Sequence, residues 1–267
     1  MFDVRLAPTK DEVQVHHIIY LVLCLETTGN SIAIKLFPEY LGTSSSRSFL
    51  RLVSKELGYK QELRSVAMKL HVKDPSRKGD NNDTMAQILM KMKPSLSGYV
   101  KFLVYSKVVY DALEKIVMNA DYSSYAELRN TGLERSGALA NDLEWFKEVM
   151  GIQIPSPTTS GISYASYLEE IAVKNPKAIF CHFYNIYFGL ATGGRMVGKR
   201  ASEKILENKE LEFYKWNNGE ISELLQNARE KLNKVTESWT REEKDQCLEE
   251  TEISFKYSED IMKLIIS

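Results

Sequence analysis

The chain has 267 residues, of which 43% are hydrophobic and 27% are charged, and its formal net charge is −1. This composition is typical of a globular protein that is long enough to bury one sizeable core. A nearly neutral chain argues against bulk electrostatic attraction to nucleic acid or to an anionic membrane. The three cysteines, Cys24, Cys181 and Cys247, are far apart. Their spacing argues against a disulfide framework or a cysteine-rich metal site and favours a reducing compartment.

Residues 1–57 differ in character from the rest of the chain. Their longest apolar run, Ile18–Leu25, is far short of the roughly 20 residues that span a bilayer, so we expect no stable membrane insertion. The stretch Thr43–Arg51 is rich in serine and arginine, as organelle transit peptides tend to be, but acidic residues precede it. We predict that residues 1–57 are a leader or N-terminal extension. Residues 58–267 are predicted to form one domain.

From Gln61 onward, apolar residues recur at the three- and four-residue steps of amphipathic helices. The predicted helices are 61–71, a long helix capped by Ser95 or Ser97 and running through Val117, then Leu133–Val149, Ser163–Lys174, Ala178–Asn208, Ile221–Ser238 and Arg241–Ile266. Strand-like alternation is scarce, and no repeat of 20–50 residues is found. The sequence therefore predicts a single all-α domain.

One candidate site pairs His71 with Arg64 on the first of these helices. The two residues are seven positions apart, which places them about 10 Å apart along one helix face. That separation suits a planar ligand held at its centre by an imidazole and at its edge by a cation. The alternative is that His71 is a structural or surface histidine, which is the commoner outcome near a helix end.

Four glycines interrupt the predicted helix Ala178–Asn208: Gly189, Gly193, Gly194 and Gly198. Each glycine inside a helix costs about 1 kcal/mol relative to alanine, so several within a few turns need a reason. The pairs 189/193 and 194/198 each leave a bare strip of backbone. Close helix–helix packing is one explanation. The other is a flat ligand pressed against the backbone of a kinked helix.

Two acidic clusters are interpreted as solvated helix faces: Asp142 with Glu144, and Glu249 with Glu250 and Glu252. His16, His17 and His182 have no spacing that suggests a mononuclear metal site. Aromatic residues on the helices are by default core residues. The residue pattern alone thus predicts a helical protein with one unusual glycine-rich helix.

Seven stretches of this chain closely resemble plant plastid heme oxygenases, in the same order. They are Leu63–His71, Thr131–Arg135, Asp142–Phe146, His182–Phe188, Gly193–Met196, Asn208–Trp216 and Trp239–Lys244. The resemblance covers roughly residues 61–267, and it extends over stretches of consecutive residues. Residues 1–57 do not resemble the mature domain of that family.

The resemblance implies a single helical domain in which heme lies between a proximal and a distal helix. It implies an enzyme that opens heme at the α-meso carbon to biliverdin IXα, CO and Fe2+. The reaction uses O2 and electrons from reduced ferredoxin, and in plants its product feeds phytochrome chromophore synthesis. The resemblance also implies a monomer in the chloroplast stroma that binds no nucleic acid.

The same resemblance implies functions for individual residues. They are His71 as the proximal iron ligand, Gly189 and Gly193 as distal-helix glycines, Arg64, Tyr184 and Arg229 as propionate-binding residues, Tyr110 as part of a distal hydrogen-bond network, and Phe255 as a pocket wall. His182 is the next candidate for the iron ligand if His71 is not. A basic cluster of Arg195, Lys199, Arg200 and Lys231 is interpreted either as a docking site for an acidic ferredoxin or as a solvated face.

Three positions depart from the family pattern. Leu190 stands where plant relatives usually carry a histidine and animal relatives an aspartate. Leu225 replaces a cation of the animal enzymes one turn before Arg229, and Ile186 replaces an arginine. Since a leucine offers no partner to an ordered water, we expect normal heme binding and slower turnover.

Two other functions remain open on the sequence. The first is a heme- or tetrapyrrole-binding protein of the same fold with weak or no turnover, which Leu190 favours and His71 opposes. The second is a purely structural interaction protein, which the combination of Arg64, His71, Tyr184 and Gly193 opposes.

Overall fold

The computed structural model describes residue 63, residues 92–119 and residues 122–266. Within these ranges the chain forms seven α-helices and no strand. They are α1 (Leu96–Asn119), α2 (Ser136–Glu148), α3 (Thr159–Lys174), α4 (Ala178–Gly189), α5 (Arg195–Ile205), α6 (Ile221–Glu237) and α7 (Arg241–Met262). The predicted all-α class is therefore confirmed. The predicted leader 1–57 and, except for the buried Leu63, the predicted helix 61–71 lie outside the described residues.

Side-chain caps fix where two of the helices begin. The hydroxyl of Ser95 accepts a hydrogen bond from the Gly98 N–H at 2.9 Å, so Ser95 rather than Ser97 caps α1. Thr240 and Glu243 form a capping box at the start of α7, in which each side chain accepts from the other residue's N–H. These caps confirm the predicted starts of both helices.

Helix α2 begins at Ser136 and not at the predicted Leu133. The carboxylate of Glu114, on α1, accepts hydrogen bonds from the N–H groups of Arg135 at 2.7 Å and Ser136 at 3.1 Å. A carboxylate at this position satisfies free amides of the first turn and suits the positive end of the helix dipole. The Arg135 side chain donates to the Leu133 carbonyl at 3.1 Å, which keeps this short segment outside the helix.

Helix α4 lies at the centre of the bundle. All of its residues are buried, as expected of a helix that is apolar on every side. It packs along α7, while α1 packs on α3, on α2 and on the 3-10 turn Lys263–Ile266. No helix in the described part of the chain is both long and apolar enough to cross a membrane.

The long helix predicted for Ala178–Asn208 is interrupted after α4. Residues Leu190–Gly194 form a π-helical segment before α5 continues to Ile205. Single π-helical turns are rare and frequently lie at functional sites. Thr192 reinforces the irregularity, because its hydroxyl donates to the Phe188 carbonyl at 2.8 Å and such back-bonding bends helices. The glycine-rich run therefore departs from regular α-helical geometry between Leu190 and Gly194.

The interpretation of the acidic clusters as solvated faces is wrong for Asp142. This residue is 3% exposed, and its carboxylate accepts hydrogen bonds from the N–H groups of Glu212 and Phe213, both at 2.8 Å. Burial raises the pKa of Asp142 to about 6, although the two hydrogen bonds act in the opposite direction. Asp142 thus fastens the 3-10 turn Glu212–Tyr214 to α2. Its neighbour Glu144 is exposed, as expected.

Candidate active site

A cavity of about 110 Å³ lies where α1, α4 and α7 meet the π-helical segment. Most of its wall is aliphatic or aromatic, and only a few polar groups reach it. The lining residues that bear on function are Ser106, Tyr110, Asn185, Gly189, Leu190 and Phe255. Small-molecule sites in proteins commonly have this character, with an apolar concave surface and few convergent polar groups.

Four of the predicted site residues line this cavity: Tyr110, Gly189, Leu190 and Phe255. They come from α1, α4, the π-helical segment and α7, so the fold brings together residues that are distant in the chain. Gly193 is buried in the same π-helical segment. In the described wall, Gly194 rather than Gly193 lines the cavity.

Gly194 and Gly198 have different structural reasons for being glycine. A Cβ atom at Gly194 would lie 2.9 Å from Cδ1 of Leu190, which is the movable end of a neighbouring side chain. A Cβ atom at Gly198 would lie 2.5–2.6 Å from three ring atoms of Tyr214. Close packing against a ring therefore explains Gly198, whereas Gly194 contacts the Leu190 side chain and adds no side chain of its own to the cavity wall.

The fold brings two predicted propionate-binding residues onto one aromatic ring. Tyr184 stacks on Phe188 with 4.4 Å between ring centroids. The guanidinium of Arg229, from α6, lies 5.1 Å from the centroid of the same ring. Both side chains are thus next to the end of α4, one residue before Gly189. The other two predicted heme-binding residues, His71 and Arg64, lie outside the described residues.

His182 is unsuited to ligate a metal ion, because both of its ring nitrogens have partners. Nδ1 lies 2.9 Å from the Tyr164 hydroxyl and Nε2 lies 3.2 Å from a carboxylate oxygen of Glu250. Burial lowers the pKa of His182, although Glu250 acts to raise it. Burial alone would raise the pKa of Glu250, but its hydrogen bonds with His182 and Tyr167 lower it. The interpretation of the second acidic cluster as a solvated face is therefore wrong for Glu250, because its carboxylate forms hydrogen bonds with His182 and Tyr167.

The neighbours of Leu190 do not replace the polar group that it lacks. Thr192 directs its hydroxyl to the Phe188 carbonyl and is not part of the described cavity wall. The Tyr110 hydroxyl is 3.4 Å from the Ile186 carbonyl oxygen, which is a long hydrogen bond. Burial raises the pKa of Tyr110 well above its ordinary value. Tyr110 is therefore a neutral phenol whose proton is directed to the Ile186 carbonyl, and its oxygen can accept a hydrogen bond from the cavity.

Sequence reasoning missed Asn185, which also lines the cavity. It lies on α4 one turn before Gly189 and is 6% exposed. The signal that identifies it is a carboxamide within an otherwise largely aliphatic and aromatic buried helix, on the same face as the glycine four residues later.

The four basic residues predicted to bind an electron donor lie in different surroundings. Arg195 and Lys199 are exposed on α5 and share a face at four-residue spacing. Arg200 is partly buried. The Lys231 ammonium, on α6, lies 3.5 Å from the Arg129 carbonyl oxygen. Docking of a donor at these residues stays a prediction.

Residues 58–263 match the family model for heme oxygenase. The chain belongs to the heme oxygenase family. It is 53% identical to heme oxygenase 1, chloroplastic, of Arabidopsis thaliana over 84% of this chain and 80% of that protein. It is 56% identical to heme oxygenase 1, chloroplastic, of Oryza sativa subsp. japonica over 78% of this chain and 71% of that protein.

Two further comparisons extend this assignment. A protein of Arabidopsis thaliana named "Probable inactive heme oxygenase 2, chloroplastic" is 47% identical over 65% of this chain and 58% of its own length. The solved heme oxygenase of Leptospira interrogans has the same fold, with a TM-score of 0.63 and 23% identity over 78% of this chain and 99% of that one. The predicted enzyme class is confirmed by the family match and the close relatives. The predicted plastid localisation is confirmed by the chloroplastic relatives.

The cavity fits one face of a heme. At Gly189 and Gly194 the wall presents backbone without side chains, and aliphatic and aromatic groups make up most of the rest. A flat apolar macrocycle needs such a wall. The carboxamide of Asn185 adds a buried polar group with an unused acceptor at the same place.

Proposed function

We propose that this protein opens heme at the α-meso carbon to biliverdin IXα, CO and Fe2+, using O2 and electrons from reduced ferredoxin. The observation that carries the proposal is the bare backbone of Gly189 and Gly194 in an apolar cavity wall, in a chain of the heme oxygenase family. We further propose that the biliverdin feeds phytochrome chromophore synthesis.

In this proposal one residue holds the iron of the substrate and three others bind its propionates. His71 holds the iron as a neutral imidazole, and when bound the heme supplies the iron centre at which O2 is activated. Arg64, Tyr184 and Arg229 bind the propionates, because cations and a phenol form charge-assisted hydrogen bonds with carboxylates. Two observations support these assignments. His182 is engaged through both ring nitrogens, and Tyr184 and Arg229 contact one ring.

The π-helical segment positions the substrate and limits access to it. Bare backbone at Gly189 and Gly194, with Gly193 beside them, lets the segment approach the macrocycle closely, while Leu190 and Phe255 close the wall around it. An apolar wall keeps bulk water away and strengthens the few polar contacts inside. Tyr110 remains protonated, and its hydroxyl oxygen can accept a hydrogen bond at the wall.

Ferredoxin is proposed to dock on the exposed cations that follow the cavity in the chain. Arg195 and Lys199 are the exposed residues of this surface, and Arg200 and Lys231 are partly buried. Opposite charges on two proteins raise the association rate and fix the orientation of the complex. Turnover should therefore weaken as ionic strength rises.

A specific observation favours a second function, heme binding with weak turnover. Leu190 leaves the wall apolar where a polar residue is usual, and one relative at 47% identity is named "Probable inactive heme oxygenase 2, chloroplastic". The two functions predict different products from the same assay. Only the oxygenase consumes bound heme in proportion to the biliverdin that it forms.

The deciding experiment uses the full chain with hemin, a plant-type ferredoxin, its reductase and NADPH. Loss of the Soret band with equimolar growth of biliverdin absorption is expected. A stable Soret band under the same electron supply would overturn the proposal in favour of the binding protein. His71→Ala should abolish the histidine-bound heme spectrum, and added imidazole should restore it. An unchanged spectrum in this variant would contradict the ligand assignment.

The donor surface is tested with Lys199→Glu, and Lys101→Glu on α1 is the matched control because it is also an exposed helical lysine. The first variant should raise the Michaelis constant for ferredoxin, and the control should leave it unchanged. Equal behaviour of the two variants, with no effect of salt, would place the donor elsewhere.

A further inference from the structure

Asn185 has an unused hydrogen-bond acceptor at the cavity wall. Its Nδ2 donates to the Cys181 sulfur at 3.5 Å, which is a weak bond. Its Oδ1 is buried and has no partner among the described residues. The residue as a whole is 6% exposed and lines the cavity one turn before Gly189. The Oδ1 atom of Asn185 is thus buried at the cavity wall, and no described protein group donates a hydrogen bond to it.

A buried polar atom without a partner costs the desolvation of that atom, so such atoms in native proteins are nearly always paired with protein or with ordered water. The cavity of about 110 Å³ has room for water, since on the same measure one molecule needs only about 10–15 Å³. An ordered water also needs further polar contacts. Ser106 and Tyr110 supply them, because both line the same cavity from α1.

The two residues nearest in the π-helical segment, Leu190 and Thr192, do not compete for that water. Leu190 is apolar, and the Thr192 hydroxyl is directed to the Phe188 carbonyl. Exchange of the two amide atoms of Asn185 would not remove the contact, because Nδ2 would then donate to the same water. In either orientation the carboxamide is the polar group of α4 that reaches the cavity.

We propose that Asn185 holds an ordered water at the heme-facing wall and so positions proton delivery in a site where Leu190 offers no polar group. This inference rests on the proposed oxygenase function. It assigns a positioning residue for that reaction, since Asn185 acts through water and not by contact with the reacting atoms. Tyr110, as a neutral phenol, can continue the hydrogen-bond chain from that water.

The test compares Asn185→Leu, which removes both amide atoms, with Asn185→Thr, which keeps one hydroxyl. A crystal structure of the heme-free protein should show a water within about 3.2 Å of the Asn185 amide. That water should be absent in the leucine variant and present in the threonine variant. The urea midpoint of the heme-free protein should not rise in the leucine variant. A clear rise, with no water at the amide, would show an unpaired group in a dry wall and overturn the inference.

The activity arm separates this inference from the proposed function. Positioned acid–base groups contribute about 10²–10⁴-fold to rate, so Asn185→Leu should lose at least about tenfold in biliverdin formation while still binding heme. Asn185→Thr should recover most of that loss, and so should Leu190→His added to Asn185→Leu. Full activity in Asn185→Leu would overturn the inference and leave the oxygenase intact. No biliverdin from the unmodified protein would instead overturn the proposed function.

Discussion

Replacing Gly198 with alanine tests the link between the glycine-rich stretch and the cavity. The added Cβ would lie 2.5–2.6 Å from three atoms of the Tyr214 ring, a distance that real Cβ atoms essentially never show. The ring cannot yield easily. It is 5% exposed, its hydroxyl accepts a hydrogen bond from Tyr99 at 3.0 Å, and its side chain forms part of the cavity wall.

The expected loss follows from two opposing terms. Overpacking of a filled core costs about 1–3 kcal/mol, and glycine to alanine within a helix gains about 1 kcal/mol. Gly198→Ala should therefore lower the free energy of unfolding by up to about 2 kcal/mol. Gly137→Ala on α2 is the matched control, because no atom lies within 4 Å of its added Cβ. It should be neutral or stabilising.

Urea unfolding of the heme-free protein, followed by circular dichroism, measures both variants. Heme affinity should fall only in Gly198→Ala, since the displaced Tyr214 ring moves at the cavity wall. In the double variant Gly198→Ala, Tyr214→Leu the ring that clashes with the added Cβ is removed. Its loss of unfolding free energy should therefore be smaller than the sum of the losses in the two single variants. Equal stability of Gly198→Ala and Gly137→Ala would refute the reasoning, because the clash would then have no energetic consequence.

Three other predictions follow from the described contacts. Asp142→Ala should cost about 1–3 kcal/mol in urea unfolding, because it leaves two backbone N–H groups without their acceptor, while the exposed Glu144→Ala should change stability by less than about 0.5 kcal/mol. Burial lowers the pKa of His182 from 6.5, so below about pH 6.5 the unfolded chain takes up a proton that the folded protein refuses. As the pH falls below this value, the free energy of unfolding should fall by up to about 1.4 kcal/mol per pH unit relative to that of His182→Gln. A difference in unfolding free energy between the two proteins that does not change with pH would contradict the lowered pKa of His182. Leu190→His should raise the biliverdin formed per heme consumed, modestly where Asn185 is intact, and no gain in either background would show that the water does not depend on this position.

The helices and their limits were largely determined by the sequence. Apolar periodicity and local caps act within a few residues, so Ser95 and Thr240 mark helix starts that can be seen without a fold. The seven stretches that resemble plant heme oxygenases likewise indicated an all-α heme oxygenase. The glycine spacing indicated that the helix is irregular or closely packed between Gly189 and Gly198. These signals are local, and local energetics is sufficient to produce them.

Only the tertiary structure decided what the polar residues on those helices do. Asp142 looked like a solvated acid, but the distant turn at Phe213 covers it and supplies its hydrogen-bond donors. His182 became unsuited to a metal ion because Glu250, from a helix late in the chain, occupies its Nε2. Asn185 gained its importance from a cavity that α1 and α7 close around it. The physical reason is common to all three. The cost of burying a polar group depends on which partners the fold brings to it, and those partners are far away in sequence.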